Sequence, residues 1–258
     1  MGMRSYSHSQ LEEYEECPRM YWYHRVQGVK PLDDLTPVYF HLGAVVHEVI
    51  QHLYESLLRG KRETLEELLS LYEHKWEKGM DGAVYFPPAY PPEEQKARGK
   101  TYIEGYYRLY FPFNQDRTLW VEHRIEFSLD ETRGLYINGK IDRLGQEGDG
   151  LYIIHDLKTS YGLPPQKDLV VDRQIGLYTL GVLDHWKDAK EVWAVWHYLH
   201  FGTEIRFKVE KESLKRIARD TLNLIGKIEE SAEEDFSPDR GEHCNFCGYR
   251  HLCHAWDK

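Results

Sequence analysis

The 258-residue chain contains no apolar run long enough to span a bilayer, and residues Met1 to His8 lack the apolar stretch of a secretory signal. We therefore expect a soluble, cytoplasmic protein that does not associate with membranes. No internal repeat, low-complexity segment or nucleotide-binding loop of the form Gly-x4-Gly-Lys-Ser/Thr is present, so these residues carry no ATP-driven motor.

Basic charge is also scarce relative to acidic charge, because the formal net charge is -10. This balance argues against a generally basic protein that coats nucleic acid, although it does not exclude a local groove lined by lysine and arginine. The chain has 4 cysteines, which are too few for a disulfide framework in a chain of this size. Their spacing is therefore more informative than their number.

The hydrophobic pattern predicts an α/β fold with a mixed sheet flanked by helices. We expect one domain over 1–258, with a helical insertion at about 30–115, a core at about 116–209, and a C-terminal helix and tail at 210–258. Within it, helices are expected at 6–16, 42–58, 62–76, 93–110, 168–185 and 211–231, and strands at 119–129, 135–144, 151–158, 191–200 and 204–209.

The most informative segment is a predicted hairpin with two carboxylates and a lysine. Asp156 and Lys158 are two residues apart on a strand and share one face, while Asp142 lies on the partner strand within a residue or two of facing Asp156. Two neighbouring carboxylates repel each other unless a cation lies between them. This arrangement predicts metal-dependent phosphate chemistry, although charged residues at the ends of solvent-facing strands are also common.

His47 and Glu48 lie on the predicted helix 42–58. A histidine on an apolar helix face is more often a core residue, but beside two carboxylates it would complete a site for Mg²⁺ or Mn²⁺. Glu48 points around the helix, and Glu122 and Glu126 on the first strand are interpreted as solvated.

Gln174 and Tyr178 are four residues apart, so they share a helix face and could reach a DNA phosphate or Lys158. A polar residue beside a packing aromatic explains the same spacing. Arg143, next to Asp142, could hold a carboxylate or a phosphate. The aromatic stretch Trp193 to Phe201 could stack bases of single-stranded DNA, but alternation on a strand that packs against helices favours a core role.

Cysteines form the second strong signal, because Cys17 near the start is matched by the closely spaced Cys244, Cys247 and Cys253. Thiolates in this pattern bind zinc or an iron-sulfur cluster. His243, His251 and His254 are alternative zinc ligands, and four unligated thiols are the remaining alternative. A bound group would connect the N-terminal helix to the C-terminal tail, so its loss should loosen both ends.

Together these motifs resemble a known family of nucleases. The resemblance extends from Ser7 to Cys253. It rests on the motifs Ser7-x3-Leu11 with Cys17-Pro18, Gly43-x3-His47-Glu48, Gly139-x2-Asp142-Arg143, Asp156-x-Lys158-Thr159, Gln174-x3-Tyr178 and Cys244-x2-Cys247-x5-Cys253. They resemble the PD-(D/E)XK nucleases of the RecB-like branch, and more narrowly its iron-sulfur members. These members are the nuclease domain of AddB-type helicase-nucleases and the CRISPR-associated four-cysteine exonucleases.

The resemblance implies a restriction-endonuclease-like core in which His47, Asp142, Asp156 and the Leu157 carbonyl bind Mg²⁺ or Mn²⁺ and Lys158 is the catalytic lysine. It also implies that Gln174 and Tyr178 lie beside the active site and contact DNA, with Arg143 as a further supporting residue. The same resemblance makes Cys17, Cys244, Cys247 and Cys253 the ligands of a 4Fe-4S cluster. No motif of the family falls in the proline-rich part of the insertion, residues 60–99.

From the family we expect hydrolysis of DNA phosphodiester bonds, as an exonuclease acting on single-stranded ends. Expected partners are DNA and either a helicase subunit or CRISPR integration proteins, so repair, recombination and CRISPR adaptation all stay open. Two alternatives remain: a non-catalytic iron-sulfur protein that binds nucleic acid, and a structural zinc protein in which Asp142, Asp156 and Lys158 are incidental.

Overall fold

A computed structural model describes residues 3–32, 36–80, 84–163 and 171–256. Its helices are α1 (His8–Glu16), α2 (Pro18–Tyr21), α3 (Val38–Leu58), α4 (Leu65–Gly79), α5 (Pro92–Tyr110), α6 (Arg173–His185) and α7 (Lys211–Glu230). Its strands are β1 (Arg4–Ser7), β2 (Thr36–Pro37), β3 (Val84–Tyr85), β4 (Arg117–Asp130), β5 (Leu135–Gln146), β6 (Leu151–Lys158), β7 (Glu191–Tyr198) and β8 (Thr203–Phe207). Among the described residues, no helix combines the length and apolar character that crossing a membrane requires.

The chain divides into two compact units. The smaller unit combines Met1–Asp34, Glu126–Gly139 and Lys215–Lys258, and the larger unit combines Leu35–Ile125 with Lys140–Leu214. The helical segment that we expected to be an insertion and most of the expected core therefore belong to the same unit. The single domain and its boundaries remain a prediction.

The larger unit is built on a mixed sheet. β5 and β6 are antiparallel, with Arg143 opposite His155 and Gln146 opposite Tyr152, and β4 also pairs with β5. β6 runs parallel to β7 along its whole length, and β7 is antiparallel to β8. This sheet and its flanking helices confirm the predicted α/β class.

Helices α3, α4 and α5 form a hydrophobic cluster in the larger unit. The apolar residues of α3 recur every three or four positions, and Val46, Val49 and Leu53 are almost fully buried. They pack with Tyr72 and with Leu157, which belongs to β6. This packing fixes α3 beside the strand that carries Asp156 and Lys158.

The smaller unit contains both ends of the chain. Ser7 caps α1 and forms a capping box with Gln10, as its position before the helix predicts. β1 runs parallel to the first part of β5. After α7 the chain continues in short 3-10 turns. Cys244 lies within one of them, and Cys247 and Cys253 directly follow two of them.

Most predicted elements agree with the structure to within a few residues. The helix expected over 168–185 is observed as α6 from Arg173 onwards, and its expected start at Asp168 lies outside the described residues. Asp172 caps α6 by accepting a hydrogen bond from the Ile175 N–H at 2.8 Å.

Candidate active site

The β5–β6 hairpin brings the two predicted aspartates together. Its antiparallel pairing places Arg143 opposite His155, one residue from both Asp142 and Asp156. The Leu157 N–H donates a hydrogen bond of 2.9 Å to Asp142 Oδ2, so the Asp142 carboxylate is fixed against β6. The expectation that Asp142 lies within a residue or two of facing Asp156 is consistent with this register.

Helix α3 places His47 beside the β5–β6 hairpin. The His47 Nδ1 atom is 3.5 Å from Asp142 Oδ2, and its Nε2 atom is 3.1 Å from the Leu157 carbonyl oxygen. The His47 imidazole thus contacts two of the predicted metal ligands, the Asp142 carboxylate and the Leu157 carbonyl. Glycine at position 43 permits this approach, because a Cβ there would lie 3.1 Å from Thr159 Oγ1.

Lys158 begins a line of polar side chains that reaches α6. Its Nζ atom is 2.7 Å from Asp156 Oδ2 and donates a hydrogen bond of 3.2 Å to Gln174 Oε1. The Gln174 amide in turn donates to the Tyr178 hydroxyl at 3.3 Å. The four-residue spacing of Gln174 and Tyr178 therefore places both side chains beside the lysine, one turn apart on α6.

Burial shapes the electrostatics of this site. Burial and, to a smaller extent, the neighbouring Asp156 carboxylate raise the pKa of Asp142 to about 6. His47 favours the charged form of Asp142, but its effect is smaller than that of burial. Burial is the largest influence and acts to lower the pKa of Lys158, but the carboxylates of Asp156, Asp172 and Asp142 together outweigh it and the pKa is raised. Lys158 therefore stays an ammonium group at neutral pH.

The carboxylate of Glu122, which we interpreted as solvated from the sequence, lies at this site. Ligand atoms of His47, Glu122 and Asp142 all lie within 4.8 Å of one another. Glu122 has φ of +51°, a left-handed conformation that is unusual for a residue other than glycine inside a strand, and its carboxylate pairs with Lys140. The alternation of side chains along β4 gives no sign of this backbone kink, so sequence offers no signal for it.

The residues present fit a divalent cation. Imidazole nitrogen and carboxylate oxygen are suitable ligands for Mg²⁺ and Mn²⁺, and His47, Glu122 and Asp142 supply three such groups. The Asp156 carboxylate is buried beside these groups, where its Oδ2 atom forms an ion pair of 2.7 Å with Lys158 Nζ.

Arg143 has a different environment from the one its motif suggested. Its side chain is buried and donates to Asp116 Oδ1 at 2.5 Å, and its guanidinium lies 4.3 Å from the centre of the Tyr54 ring. Asp116 Oδ2 also contacts His155 Nε2 at 2.7 Å. Arg143 therefore holds a carboxylate, which was one of its two expected roles, and its support of the active site stays a prediction.

Asp116 was not singled out by the sequence, although it organises this buried network. Burial alone would raise the pKa of its carboxyl group, but His155 and Arg143 hold the pKa well below its usual range. Burial lowers the pKa of His155 to about 4, so this imidazole is neutral at pH 7. The network supports β5 and β6 from the face opposite Asp156.

All four cysteines line one cavity of the smaller unit. Cys17 is buried, and burial together with the thiols of Cys17, Cys244 and Cys253 raises the pKa of Cys247. Hydrogen bonds also join the two ends of the chain: the Tyr23 hydroxyl donates to the Leu252 carbonyl at 2.7 Å.

Comparison with solved structures finds a similar fold in a candidate exonuclease from Eubacterium rectale. The two chains share 15% identity over 95% of this chain and 86% of that chain, with a TM-score of 0.54. A second solved structure, that of SSO0001, shares 17% identity over 97% of this chain and 94% of that chain. Its TM-score of 0.33 is too low for a comparison of folds. No curated protein matches the chain.

The family model of the PD-(D/E)XK nuclease superfamily matches residues 5–254. This match covers both compact units, and it includes the β5–β6 hairpin with Asp142, Asp156 and Lys158. Nucleases of this superfamily generally use divalent metals, in agreement with the acidic site described above. The chain belongs to the PD-(D/E)XK nuclease superfamily.

Proposed function

We propose that the protein is a metal-dependent deoxyribonuclease of the RecB-like branch whose active site comprises His47, Asp142, Asp156 and Lys158. The observation that supports this most directly is the meeting of α3 and the β5–β6 hairpin. His47 Nδ1 is 3.5 Å from Asp142 Oδ2, and Lys158 Nζ is 2.7 Å from Asp156 Oδ2. These are two carboxylates, an imidazole and an ammonium group in one partly buried site.

His47, Asp142, Asp156 and the Leu157 carbonyl would hold Mg²⁺ or Mn²⁺, with Glu122 as a further carboxylate at the site. A bound divalent ion polarises a phosphodiester and lowers the pKa of a bound water. Such an ion would also offset the cost of keeping Asp142 charged in its partly buried place.

Lys158 would act on the nucleophile and on the phosphate. Its raised pKa keeps the ammonium group protonated, so it donates hydrogen bonds and is not a general base. Asp156 and Gln174 restrict the position of its Nζ atom, and Tyr178 holds the Gln174 amide in turn. Such a fixed donor can orient the attacking water and stabilise charge that develops on the phosphate.

We infer exonucleolytic cleavage of single-stranded ends from the resemblance of the motifs, supported by the fold shared with a candidate exonuclease. DNA strands labelled at either end test this, with wild type compared with Asp156→Asn and Lys158→Met in Mg²⁺ or Mn²⁺. The exposed Asp149 supplies a matched control, Asp149→Asn. Products shortened from one end by wild type and the control alone support the proposal, whereas undiminished cleavage by both active-site variants contradicts it.

The four cysteines are proposed to bind a 4Fe-4S cluster. They line one cavity, and in a cluster each thiolate would bind a different iron atom. A tetrahedral zinc ion held by the same thiolates is the structural alternative.

Anaerobic purification followed by iron, sulfide and zinc analysis separates the proposals. Brown protein with iron and sulfide supports the cluster, whereas colourless protein with stoichiometric zinc supports the structural zinc alternative. A protein that has the cluster and binds DNA but cleaves no DNA would support the non-catalytic alternative.

DNA is the proposed partner, together with a helicase subunit or CRISPR integration proteins. Gene neighbourhood would distinguish repair or recombination from CRISPR adaptation, because the helicase or the integrase would be encoded nearby.

A further inference from the structure

A continuous line of aromatic side chains lies on the surface of the larger unit. We call it the aromatic strip, and it consists of Phe40, Tyr39, Tyr90, Tyr161, His200 and Phe201. Successive ring centres are 4.7, 5.6, 6.4, 4.9 and 4.8 Å apart in that order. Four of these rings, those of Phe40, Tyr161, His200 and Phe201, are exposed, and those of Tyr39 and Tyr90 are partly buried.

Several of these rings are exposed without an evident structural purpose. Phe40 is 63% exposed, Tyr161 42% and Phe201 43%. The expectation that the Trp193 to Phe201 stretch belongs to the core holds for Trp196, Tyr198 and Leu199, but not for His200 and Phe201, which are exposed. A connected exposed aromatic surface of this kind is characteristic of a binding site.

The strip adjoins the segment that carries the catalytic lysine. Lys158 and Tyr198 are paired at the carboxyl ends of β6 and β7, and the Lys158 carbonyl accepts a hydrogen bond of 2.9 Å from the Leu199 N–H. Tyr161 follows Lys158 by three residues, and His200 follows Tyr198 by two. The middle of the strip therefore begins where the catalytic strand ends.

The other end of the strip, formed by Tyr39 and Phe40, also lies near the residues that follow Lys158. Tyr39 and Phe40 lie in the first turn of α3, one turn before Gly43, whose missing Cβ leaves room for Thr159 Oγ1. One cation belongs to the strip as well, because the Arg98 guanidinium lies 4.8 Å from the centre of the Tyr161 ring.

We propose that the aromatic strip binds unpaired nucleotides of single-stranded DNA and leads that strand to Lys158. This inference rests on the proposed nuclease function and specifies its substrate. Exposed rings can stack on unpaired bases of any sequence, and a guanidinium beside them can pair with a phosphate. Bases inside a duplex are already stacked on each other, so the strip favours single strands over double strands.

Fluorescence anisotropy in EDTA tests the proposal, because binding is then measured without cleavage. The probes are an oligothymidine of about 20 nucleotides, an abasic oligomer with the same number of phosphates, and a duplex of the same length. The test variant is Tyr161→Ala combined with Phe201→Ala. Phe111, an exposed ring of the same unit that lies outside the strip, supplies the matched control Phe111→Ala.

We expect the double variant to bind oligothymidine about tenfold more weakly than wild type, with abasic DNA bound equally by both proteins. Tyr161→Phe should bind as wild type does, because the ring remains. Since both replaced side chains are exposed, the melting temperature should be unchanged. Equal affinity of wild type and the double variant for oligothymidine would overturn the proposal, and so would an equal loss of affinity for abasic DNA.

Two further outcomes keep this proposal separate from the nuclease function. If wild type cleaves no DNA but the ring-dependent preference for oligothymidine is observed, the proposed function fails and the aromatic strip remains a site for single strands. If the double variant changes only the oligomeric state in sedimentation and not DNA binding, the strip is a contact between protein copies and this proposal fails.

Discussion

Replacing Asp142 with asparagine should stabilise the metal-free protein at neutral pH. Burial is the largest cause that raises the pKa of Asp142 from 3.8 to about 6, so the buried carboxylate is unfavourable when it is charged. This difference corresponds to about 3 kcal/mol in the free energy of unfolding, at 1.36 kcal/mol for each pKa unit. Asparagine keeps an oxygen that can accept the hydrogen bond from the Leu157 N–H.

The pH dependence follows from the direction of the shift. Between pH 3.8 and about 6 the folded state binds more protons than the unfolded state, so stability falls as pH rises through this window. The full penalty is present above about pH 6. Asp142→Asn should therefore gain up to about 3 kcal/mol over wild type at pH 7.5, and the gain should approach zero near pH 4.

Urea unfolding in EDTA at pH 7.5, 6 and 4.5 measures this difference, and the difference between two proteins cancels the titration of carboxylates that they share. Asp149→Asn controls for the loss of a surface charge and should stay within about 0.5 kcal/mol of wild type. If Asp142→Asn were no more stable than wild type at pH 7.5, or if its gain did not depend on pH, the burial argument would be wrong.

Adding metal should reverse the order of stability. A ligand that binds only the folded state stabilises it by about 2.7 kcal/mol at a concentration of 100 times its Kd. Wild type should gain this stability from Mn²⁺, whereas Asp142→Asn should gain much less because it lacks a charged ligand. Equal stabilisation of both proteins by Mn²⁺ would place the metal elsewhere.

Three further predictions concern the residues around the site and the cluster. Lys158→Met should slow single-turnover cleavage of single-stranded DNA by about 100-fold or more, because the fixed ammonium group is lost, and a loss below tenfold would exclude this role. Asp116→Ala should lower the free energy of unfolding by about 3–5 kcal/mol in urea, because it leaves the buried Arg143 guanidinium without its carboxylate; a change below about 1 kcal/mol would contradict this. Cys253→Ala should lower the melting temperature more than Lys158→Met does, because it removes a proposed cluster ligand, and equal melting of the two variants would count against the cluster.

The β5–β6 hairpin could be predicted because its signals are local. Strand alternation and the turn between Gln146 and Leu151 set the register, and the register decides that Asp142 and Asp156 are neighbours. The helix spacing of Gln174 and Tyr178 was equally informative, because residues four apart share a helix face in any context. His47 needed more than local information, since only tertiary packing brings α3 to the hairpin.

The surroundings of Glu122 and Asp116 could not be predicted from the sequence, for different physical reasons. The role of Glu122 depends on a left-handed residue within β4, and such a kink changes the facing of a side chain without any mark in the hydrophobic pattern. Asp116 precedes the strand and reads as an ordinary loop residue, but it becomes buried with Arg143 and His155. For Arg143 the sequence left a carboxylate and a phosphate as alternative partners, because it does not show which charged residues obtain a buried partner.

The larger unit contains one acidic cluster around Asp116 and another around Asp142, and the pKa values of these two buried carboxyl groups are shifted in opposite directions. Asp116 is buried with an arginine and a histidine that hold its pKa low, so its charge is compensated within the protein. Asp142 is buried with too little positive charge nearby, so its pKa rises and the metal-free site is strained electrostatically. Uncompensated negative charge is what a divalent cation requires for binding, and it is costly without one. The imbalance at Asp142, and not the mere presence of aspartate, therefore supports the proposal that this cluster binds metal and the Asp116 cluster does not.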